Sequence, residues 1–363
     1  MRMAVLCNRG FERYAAREVL VLGGRASEVG DGSVFFEGEE RTMYSANRYG
    51  RTFDRVLVQL SEVRLNEKDL PRGLIEGADW KMLKELSGLT LTADSFLRRV
   101  HPRLLTEVSA LASKAVEEKR SASRKEIHLF LLARGASASL WLDTSGESLN
   151  RREYRVYNHP SSVKPTLAAS LVLMGECRGG VLYDPFAGGG TILIEAGLMG
   201  LGRPTHLKRS YAYRQLETYD PKVELDSVPP RSVCPPFEGL IGSEINEVHL
   251  RGCLKNLRSA GLPEVRVKLE DCTRVVLDHK VDLVVTNPPY GVRGAKLGRM
   301  AKLYERWMLG LPKVLKANGV CVVVTTEHRL LRALVRSRGY RMMDSARTLH
   351  GDLWVEAVKF RAS

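Results

Sequence analysis

Four consecutive residues in the C-terminal half have types and an order that suit the handling of a flat, amine-bearing molecule. They are Asn287, Pro288, Pro289 and Tyr290. An Asn side-chain carbonyl and a main-chain carbonyl can each accept one hydrogen of an exocyclic NH2 group, which aims the nitrogen lone pair at an electrophile. Successive prolines fix a non-helical backbone, and the Tyr ring can stack on a base. Because Asn-Pro is also common in turns, a turn that only ends a strand is the alternative interpretation.

A glycine-rich segment stands about a hundred residues upstream. It consists of Asp184, Pro185, Phe186, Ala187, Gly188, Gly189, Gly190 and Thr191. Apolar runs at 181–183 and 192–201 flank it, which predicts a strand, a glycine turn and a helix. Glycines let the backbone approach a ligand, and a helix N-terminus offers N–H groups to a carboxylate or phosphate. Position 193 is Leu where a dinucleotide fingerprint needs a third glycine, and there is no phosphate-binding Gly-Lys-Ser/Thr. The segment therefore favours a smaller, adenosine-like ligand with a carboxylate tail.

The elements around both motifs predict an α/β fold with a parallel sheet. The apolar run 281–285 is typical of a buried strand that ends just before Asn287, and ligands of open α/β sheets lie beyond the carboxyl ends of strands. Further strands are predicted at 240–244, 321–326, 340–349 and 353–360. Asn318-Gly319 precedes the second of these strands, and a basic helix is predicted at 327–338. Strands that alternate with helices indicate a sheet covered on both faces.

The two motifs in this order resemble those of the Rossmann-like S-adenosylmethionine-dependent methyltransferases that act on amino groups. The resemblance implies a parallel sheet with one antiparallel strand, and S-adenosylmethionine as the cofactor. It also implies that Glu244, where the family more often has Asp, holds the ribose hydroxyls. Asp271 would face the adenine amino group, and the Cys272 backbone N–H would face the adenine ring. The other implied cofactor-binding residues are Asp184, Pro185, Phe186, Ala187, Gly188, Gly190, Thr191 and Asn287, and residues 287–290 are the implied catalytic set.

The N-terminal half resembles an RNA-recognition module. Residues 47–60 resemble the ferredoxin-like segment found in a subset of RNA methyltransferases. From 90 to 143 the pattern predicts strand, helix, strand and strand, and the segment resembles a THUMP domain, an RNA-binding fold of tRNA-modifying enzymes. One face of its helix is predicted to carry Leu104, Val108, Leu111 and Ala115. The expected domains are 1–62 (ferredoxin-like), 63–150 (THUMP), 151–170 (linker and cofactor-flanking segment) and 171–363 (methyltransferase).

A closing motif follows the THUMP-like segment and narrows the expected substrate. The string from 142 to 155, followed by Lys164-Pro165-Thr166, resembles the junction between THUMP and catalytic domains in guanine-N2 methyltransferases of tRNA and of bacterial large-subunit rRNA. The resemblance, strongest to the archaeal tRNA guanosine-6 type, implies methylation of a guanosine N2 amine in tRNA, at position 6 of the acceptor stem. It also implies that Thr166 bonds the carboxylate of the cofactor. An ordinary helix cap is the alternative for Thr166.

The charge balance predicts a polyanionic partner, because 363 residues carry a net charge of +14. The basic residues expected to contact RNA phosphates are Arg98, Arg99, Arg103, Arg293, Lys296 and Arg299. Solvated helix faces are the alternative explanation for such residues.

The six cysteines stand singly, at none of the spacings of a zinc site or a secreted disulfide framework. We expect reduced thiols and no metal. No apolar run is long enough for a signal peptide core or a membrane span, so a cytoplasmic protein without a membrane partner is expected. A monomer is also expected.

Other functions share part of the pattern. An adenine-N6 DNA methyltransferase or a glutamine-N5 protein methyltransferase would also carry the motif at 287–290, but neither accounts for the THUMP-like segment. Large-subunit (23S) rRNA is the closest rival substrate. A catalytically inactive RNA-binding assembly factor would retain the sheet, although the intact residues at 184–191 and 287–290 weigh against it.

Overall fold

The strands of the chain form two seven-stranded sheets, one in each half, in a computed structural model. The structure describes residues 1–66, 69–83, 88–93, 102–117, 126–134, 136–229, 232–290 and 297–362.

The first sheet has the strand order β2-β3-β1-β4-β7-β6-β5. Its strands are β1 (Arg2–Cys7), β2 (Arg25–Gly30), β3 (Ser33–Glu37), β4 (Phe53–Arg64), β5 (Gly88–Ala93), β6 (Glu126–Arg134) and β7 (Ser137–Asp143), and its helices are α1 (Glu12–Val21), α2 (Glu40–Tyr49), α3 (Leu70–Glu76) and α4 (Pro102–Ala115). The long β4 pairs antiparallel with β1 on one side and with β7 on the other. The ferredoxin-like and THUMP-like segments therefore share one continuous sheet, and a domain boundary at residue 62 stays a prediction.

Helix α4 buries a slightly different face from the predicted one. Val108, Ala112 and Val116 are almost fully buried, whereas Ala115 is exposed, so the prediction for Ala115 is wrong. Residues four apart drift by about 40° per step around a helix of 3.6 residues per turn, and the buried stripe follows that drift.

The second sheet has the strand order β10-β9-β8-β11-β12-β14-β13. Its strands are β8 (Val181–Asp184), β9 (Gly239–Glu244), β10 (Arg266–Leu269), β11 (Val281–Thr286), β12 (Leu315–Thr325), β13 (Arg341–His350) and β14 (Leu353–Arg361), and the helices of this half are α5 (Pro165–Met174), α6 (Thr191–Gly200), α7 (Pro221–Leu225), α8 (Glu247–Ser259), α9 (Leu297–Val314) and α10 (His328–Ser337). The first five strands of this order, β10, β9, β8, β11 and β12, pair in parallel, and β14 pairs antiparallel with β12 and β13. The expected fold class is confirmed.

Strand β12 begins earlier than predicted, so Asn318 and Gly319 lie inside it. Asn318 has a φ of 61°, and between Val281 and Leu283 of β11 the paired residue of β12 changes from Leu315 to Val320. The residues between Leu315 and Val320 therefore form a bulge, which takes up the additional residues while the strand continues.

A buried ionic cluster joins the two halves. Glu195 of α6 is fully buried and accepts hydrogen bonds from the Arg152 Nε (2.9 Å), the Tyr154 hydroxyl (2.8 Å) and the Arg51 Nη1 (3.4 Å). Arg51 lies between α2 and β4, and it also donates to the carbonyl of Leu198 in α6. One carboxylate thus holds the first sheet and the connecting segment against the helix that follows the glycine-rich turn.

Two cysteines differ from the expectation of reduced thiols. Cys177 and Cys234 are joined by a disulfide, with Cα atoms 5.7 Å apart. The two residues precede β8 and β9, which are neighbours in the sheet, so the fold brings together cysteines 57 positions apart. Sequence spacing could not show this contact.

The described residues contain no candidate membrane span and no candidate metal site. None of their helices is long and apolar enough to cross a membrane, and they contain no group of three or more His, Cys, Asp or Glu arranged to hold a metal ion.

The ionic cluster leads to a stability prediction. Glu195→Gln should lower the free energy of unfolding by about 3–5 kcal/mol, because it leaves two buried guanidinium groups without their counter-charge. Chemical denaturation monitored by circular dichroism measures the change. Glu76→Gln is the matched control: it removes an exposed ion pair with Arg72 and should change stability by at most about 0.5 kcal/mol. Equal effects of both variants would contradict the assigned role of the cluster.

Candidate active site

The carboxyl ends of four parallel strands border a cavity of about 400 Å³. Strands β10, β9, β8 and β11 end at Leu269, Glu244, Asp184 and Thr286. Because parallel strands end at the same edge of a sheet, the motifs that follow them meet there although they are far apart in sequence. The volume lies in the range of small-molecule sites.

Most of the predicted cofactor-binding residues line this cavity. They are Asp184, Pro185, Phe186, Ala187, Gly188, Thr191, Glu244, Asp271, Cys272 and Asn287, and Pro289 of the predicted catalytic set lies with them. Gly190, Thr166, Pro288 and Tyr290 are not among the lining residues.

The glycine-rich turn is held by Glu244, the last residue of β9. The Gly188 N–H donates to Glu244 Oε2 (3.0 Å), and the Asn246 N–H donates to Glu244 Oε1 (2.8 Å). Gly188 has a φ of 52°, in the left-handed region that favours glycine. The carboxylate is therefore fixed against the turn, and each of its oxygens keeps a lone pair for a further donor.

Gly190 serves the packing of helices instead of the cavity. Its φ is 79°, and a Cβ at this position would lie 2.7 Å from the Cys253 Sγ of α8. The glycine lets α6 begin close to α8, which is a structural reason for a residue that the resemblance assigned to cofactor binding.

Asp184 is a buried acid at the cavity wall. Its Oδ1 accepts hydrogen bonds from the Thr286 hydroxyl (2.7 Å) and the Phe186 N–H (3.1 Å). Burial nevertheless raises the pKa of the Asp184 carboxyl to about 7. The side chain ties the end of β8 to the end of β11, directly before Asn287.

The two residues after β10 differ in what they can offer. Asp271 Oδ1 accepts from the N–H and hydroxyl of Thr273, and the N–H bond above all lowers the pKa of this carboxyl. Asp271 is therefore an ionised acceptor at neutral pH. Burial raises the pKa of the Cys272 thiol to about 12, so Cys272 is a neutral wall residue.

The segment 157–163 crosses the carboxyl edge of the sheet. It belongs to the stretch 151–170 that was expected to flank the cofactor, but none of its residues was named as a site residue. His159, Ser161, Ser162 and Val163 line the cavity. Asn256 of α8 fixes the segment, because its side chain bonds both the N–H and the carbonyl of Tyr157 and also the Gly189 carbonyl.

Other lining residues were also missed by sequence reasoning. They are Gly189, Ile192, Ser243, Ile245, Asn246, His249, Glu270 and Leu303. His159 and His249 meet edge to face with ring centroids 4.2 Å apart. Only their positions in the sequence could have indicated that these segments line the cavity. Residues 157–163 directly precede Lys164-Pro165-Thr166, and residues 245–249 follow a predicted strand.

Asn287 and Tyr290 are connected to this segment. The Asn287 Nδ2 donates to the Ser161 carbonyl (3.1 Å), and the Tyr290 hydroxyl donates to the Asn287 Oδ1 (2.5 Å). The Tyr290 ring lies edge-on to the His350 ring at 6.1 Å. In this structure Tyr290 therefore faces the C-terminal hairpin, while Asn287 remains at the cavity wall.

Thr166 lies elsewhere than the resemblance implied. The residue is fully buried, and its hydroxyl donates to Asp54 Oδ1 (3.0 Å) and accepts from Asn8 Nδ2 (3.2 Å). Lys164 also pairs with Asp54. As a correction, the Lys-Pro-Thr segment attaches α5 to the first sheet, and the Thr166 hydroxyl is already paired there.

The predicted RNA-contacting residues are only partly described. Arg103 at the start of α4 and Arg299 in the first turns of α9 are exposed. Arg98, Arg99, Arg293 and Lys296 lie outside the described residues.

Two family models match the chain. Residues 152–356 match the UPF0020 family, described as the RMKL-like methyltransferase domain. Residues 2–57 match the RlmL ferredoxin-like domain. The first match includes every residue that lines the cavity, and it ends within β14, the last strand of the second sheet along the chain.

Individual proteins are similar over most of the chain. The tRNA (guanine(6)-N2)-methyltransferase of Archaeoglobus fulgidus is 25% identical over 97% of this chain and 90% of its own length. The ribosomal RNA large subunit methyltransferase K/L of Syntrophotalea carbinolica is 29% identical over 82% of this chain and 45% of its own length. The crystal structure of a predicted methyltransferase complexed with SAH covers 100% of this chain and 98% of its own, with a TM-score of 0.79 and 19% identity.

The environment of Asp184 predicts an unusual pH dependence of stability. Its folded-state pKa of about 7 lies above the ordinary value of 3.8, so between these values the folded protein binds a proton that the unfolded chain releases. Stability from this group is therefore present at low pH and is lost as the pH rises towards 7, by up to about 1.4 kcal/mol per pH unit. The difference in unfolding free energy between wild type and Asp184→Asn, measured by urea denaturation from pH 5 to 8, should fall with pH. Parallel profiles would refute the assignment.

Proposed function

The chain belongs to the UPF0020 family of RMKL-like methyltransferases, and we propose that it transfers a methyl group from S-adenosylmethionine to the N2 amine of a guanosine in tRNA. The observation that carries this proposal is the position of Asn287: it follows β11 directly and lies at the wall of a cavity that the glycine-rich turn, Glu244 and Asp271 also line.

The cavity fits an adenosine-containing cofactor. Glu244 and Asp271 supply carboxylate acceptors after neighbouring strands, suited to a ribose diol and an adenine amine. Phe186, Ile245 and Leu303 add apolar wall for a flat ring system. S-adenosylmethionine supplies an electrophilic methyl group on a sulfonium centre. The residues of this chain place the acceptor amine.

The proposed chemistry is one of positioning. The Asn287 Oδ1 and the Pro288 carbonyl would each accept one hydrogen of the guanine amine, so that its lone pair leaves ring conjugation and points along the line of transfer. The guanosine must first leave its stack, at a cost of about a few kcal/mol that stacking and hydrogen bonds in the site offset.

The first half of the chain supports RNA as the substrate. Its continuous sheet includes the segment that resembles a THUMP domain (63–150) after a ferredoxin-like one (1–62), and the connector 151–170 leads to the catalytic part at 171–363. Exposed Arg103 and Arg299, in different halves, would contact phosphates together with Arg98, Arg99, Arg293 and Lys296.

Transfer RNA is favoured over ribosomal RNA by the extent of the similarity. The archaeal tRNA enzyme matches 97% of this chain, whereas the ribosomal enzyme matches 82% of it. The name of the archaeal enzyme suggests guanosine 6, which lies in the acceptor stem, as the target.

The substrate class can be tested by tritium transfer. Labelled S-adenosylmethionine should transfer methyl groups to unmodified tRNA, and nucleoside digestion should release N2-methylguanosine. Substitution of guanosine 6 should abolish the label if the position is right. Label in rRNA fragments instead would support the ribosomal alternative, and label in DNA, in protein or on adenosine would contradict the proposal.

Asn287→Ala should lower kcat for methyl transfer by about 100-fold, because the amine loses the acceptor that orients it. The Kd for tRNA, measured by filter binding, should stay within about twofold. Arg178→Ala is the matched control, since Arg178 is exposed near the amino end of β8, opposite to the cavity. Wild-type turnover in the Asn287 variant would exclude the proposed role of the Asn287 carbonyl as an acceptor for the substrate amine.

A further inference from the structure

A closed set of four hydrogen bonds connects the catalytic motif to the C-terminal hairpin. The Tyr290 hydroxyl lies 2.5 Å from the Asn287 Oδ1 and 3.3 Å from the His350 Nδ1. The His350 Nε2 lies 3.2 Å from the Ser162 carbonyl, and the Asn287 Nδ2 lies 3.1 Å from the Ser161 carbonyl. The carbonyls of Ser161 and Ser162 therefore hold the Asn287 and His350 side chains, and the Tyr290 hydroxyl connects these two side chains.

The hydrogen-bonding roles in this set follow from the two carbonyls. Carbonyl oxygens only accept, so the Asn287 amide nitrogen faces Ser161 and the His350 Nε2 carries a hydrogen towards Ser162. Burial lowers the pKa of His350, so the ring is neutral at physiological pH and its Nδ1 is an acceptor.

The tyrosine hydroxyl therefore has one hydrogen and two acceptors. It donates to the Asn287 Oδ1 and so uses one of the two lone pairs of the atom that the substrate amine needs. The amine then meets an oxygen that already accepts one hydrogen bond. Breaking that bond without a second acceptor would leave a partly buried hydroxyl unpaired, at a cost of about 1–3 kcal/mol. Rotation about the Tyr290 C–O bond directs the hydrogen to the His350 Nδ1, and no backbone movement is needed.

We propose that His350 is a positioning residue for methyl transfer: it receives the Tyr290 hydroxyl hydrogen bond when the substrate amine occupies the Asn287 carbonyl oxygen. The inference rests on the proposed function, because it needs an amine that binds Asn287. It assigns a role to the C-terminal hairpin, whose strand β13 ends at His350 and reaches the motif from 60 residues away.

Two replacements of His350 separate this role from simple support of the 157–163 segment. An Asn side chain can place an acceptor near the position of Nδ1, whereas a Gln side chain can place a donor near Nε2. His350→Ala should lower kcat about tenfold without changing the KM for tRNA. His350→Asn should restore most of kcat, and His350→Gln should not. Restoration by Gln alone would overturn the proposal in favour of a structural role.

A double-mutant cycle tests whether His350 acts through Tyr290. Tyr290→Phe removes the hydroxyl, so His350→Ala should cause no further loss of kcat in that background. Independent, multiplying losses would contradict the proposal.

A spectroscopic experiment separates failure of this inference from failure of the proposed function. The 15N resonance of the His350 Nδ1 should shift when guanosine 5′-monophosphate is added with SAH to wild-type protein, and it should not shift in Tyr290→Phe. Absence of methyl transfer to any RNA by wild type would sink the proposed function. In an active enzyme, an unchanged Nδ1 resonance would contradict the role of His350. Restoration of kcat by His350→Gln and not by His350→Asn would contradict it as well.

Discussion

The common carboxyl edge of four parallel strands is the constraint on which the site depends. Residues 184, 244, 271 and 287 are adjacent only because β8, β9, β10 and β11 run in the same direction and are neighbours in the sheet. Two links across that edge fix the strand ends against each other: Thr286 donates to Asp184, and Gly188 donates to Glu244. A shift of one strand would therefore displace both the glycine-rich turn and the motif that begins at Asn287.

Helix α6 carries this constraint towards the other half of the chain. It begins at the glycine-rich turn and presents the buried Glu195 to Arg51 and Arg152. Desolvation of three charges is costly, and the cluster is stable only because hydrogen bonds satisfy each group. Such a cluster fixes the relative position of the two halves more than it adds net stability, because the guanidinium groups keep all their hydrogen bonds in one arrangement of the halves. Lys164 and Thr166 contact Asp54 of β4, and these contacts also hold the connecting segment against the first sheet.

The sequence predicted what local pattern determines, and it failed where a role depends on tertiary contacts. The strand, glycine turn and helix around 184–191 and the strand before Asn287 have strong local signals, and both were found. Thr166 shows the limit, because a Thr after Pro165 looks the same whether its hydroxyl faces a ligand or Asp54. The 157–163 segment has no repeating pattern, and it acquires its place through tertiary hydrogen bonds, among them those with Asn256, Asn287 and His350. His350 lies between the predicted strands 340–349 and 353–360, and nothing local indicates that the hairpin reaches Tyr290.

Residues 203–238, a Pro- and Tyr-containing insertion between α6 and β9, have a structural role that also bears on substrate choice. Glu224 of this insertion accepts hydrogen bonds from the hydroxyls of Tyr213 (2.7 Å) and Tyr219 (2.6 Å), and the Tyr213 ring packs on Tyr44 of α2 at 4.8 Å. The insertion leaves the catalytic half after α6 and so adds a second attachment to the helix that precedes Arg51. Two attachments resist a relative rotation that one would permit. Under the proposed function, this packing sets the distance between the first half of the chain, which would contact the tRNA, and the cavity. That distance would then determine which guanosine of a bound tRNA can reach Asn287.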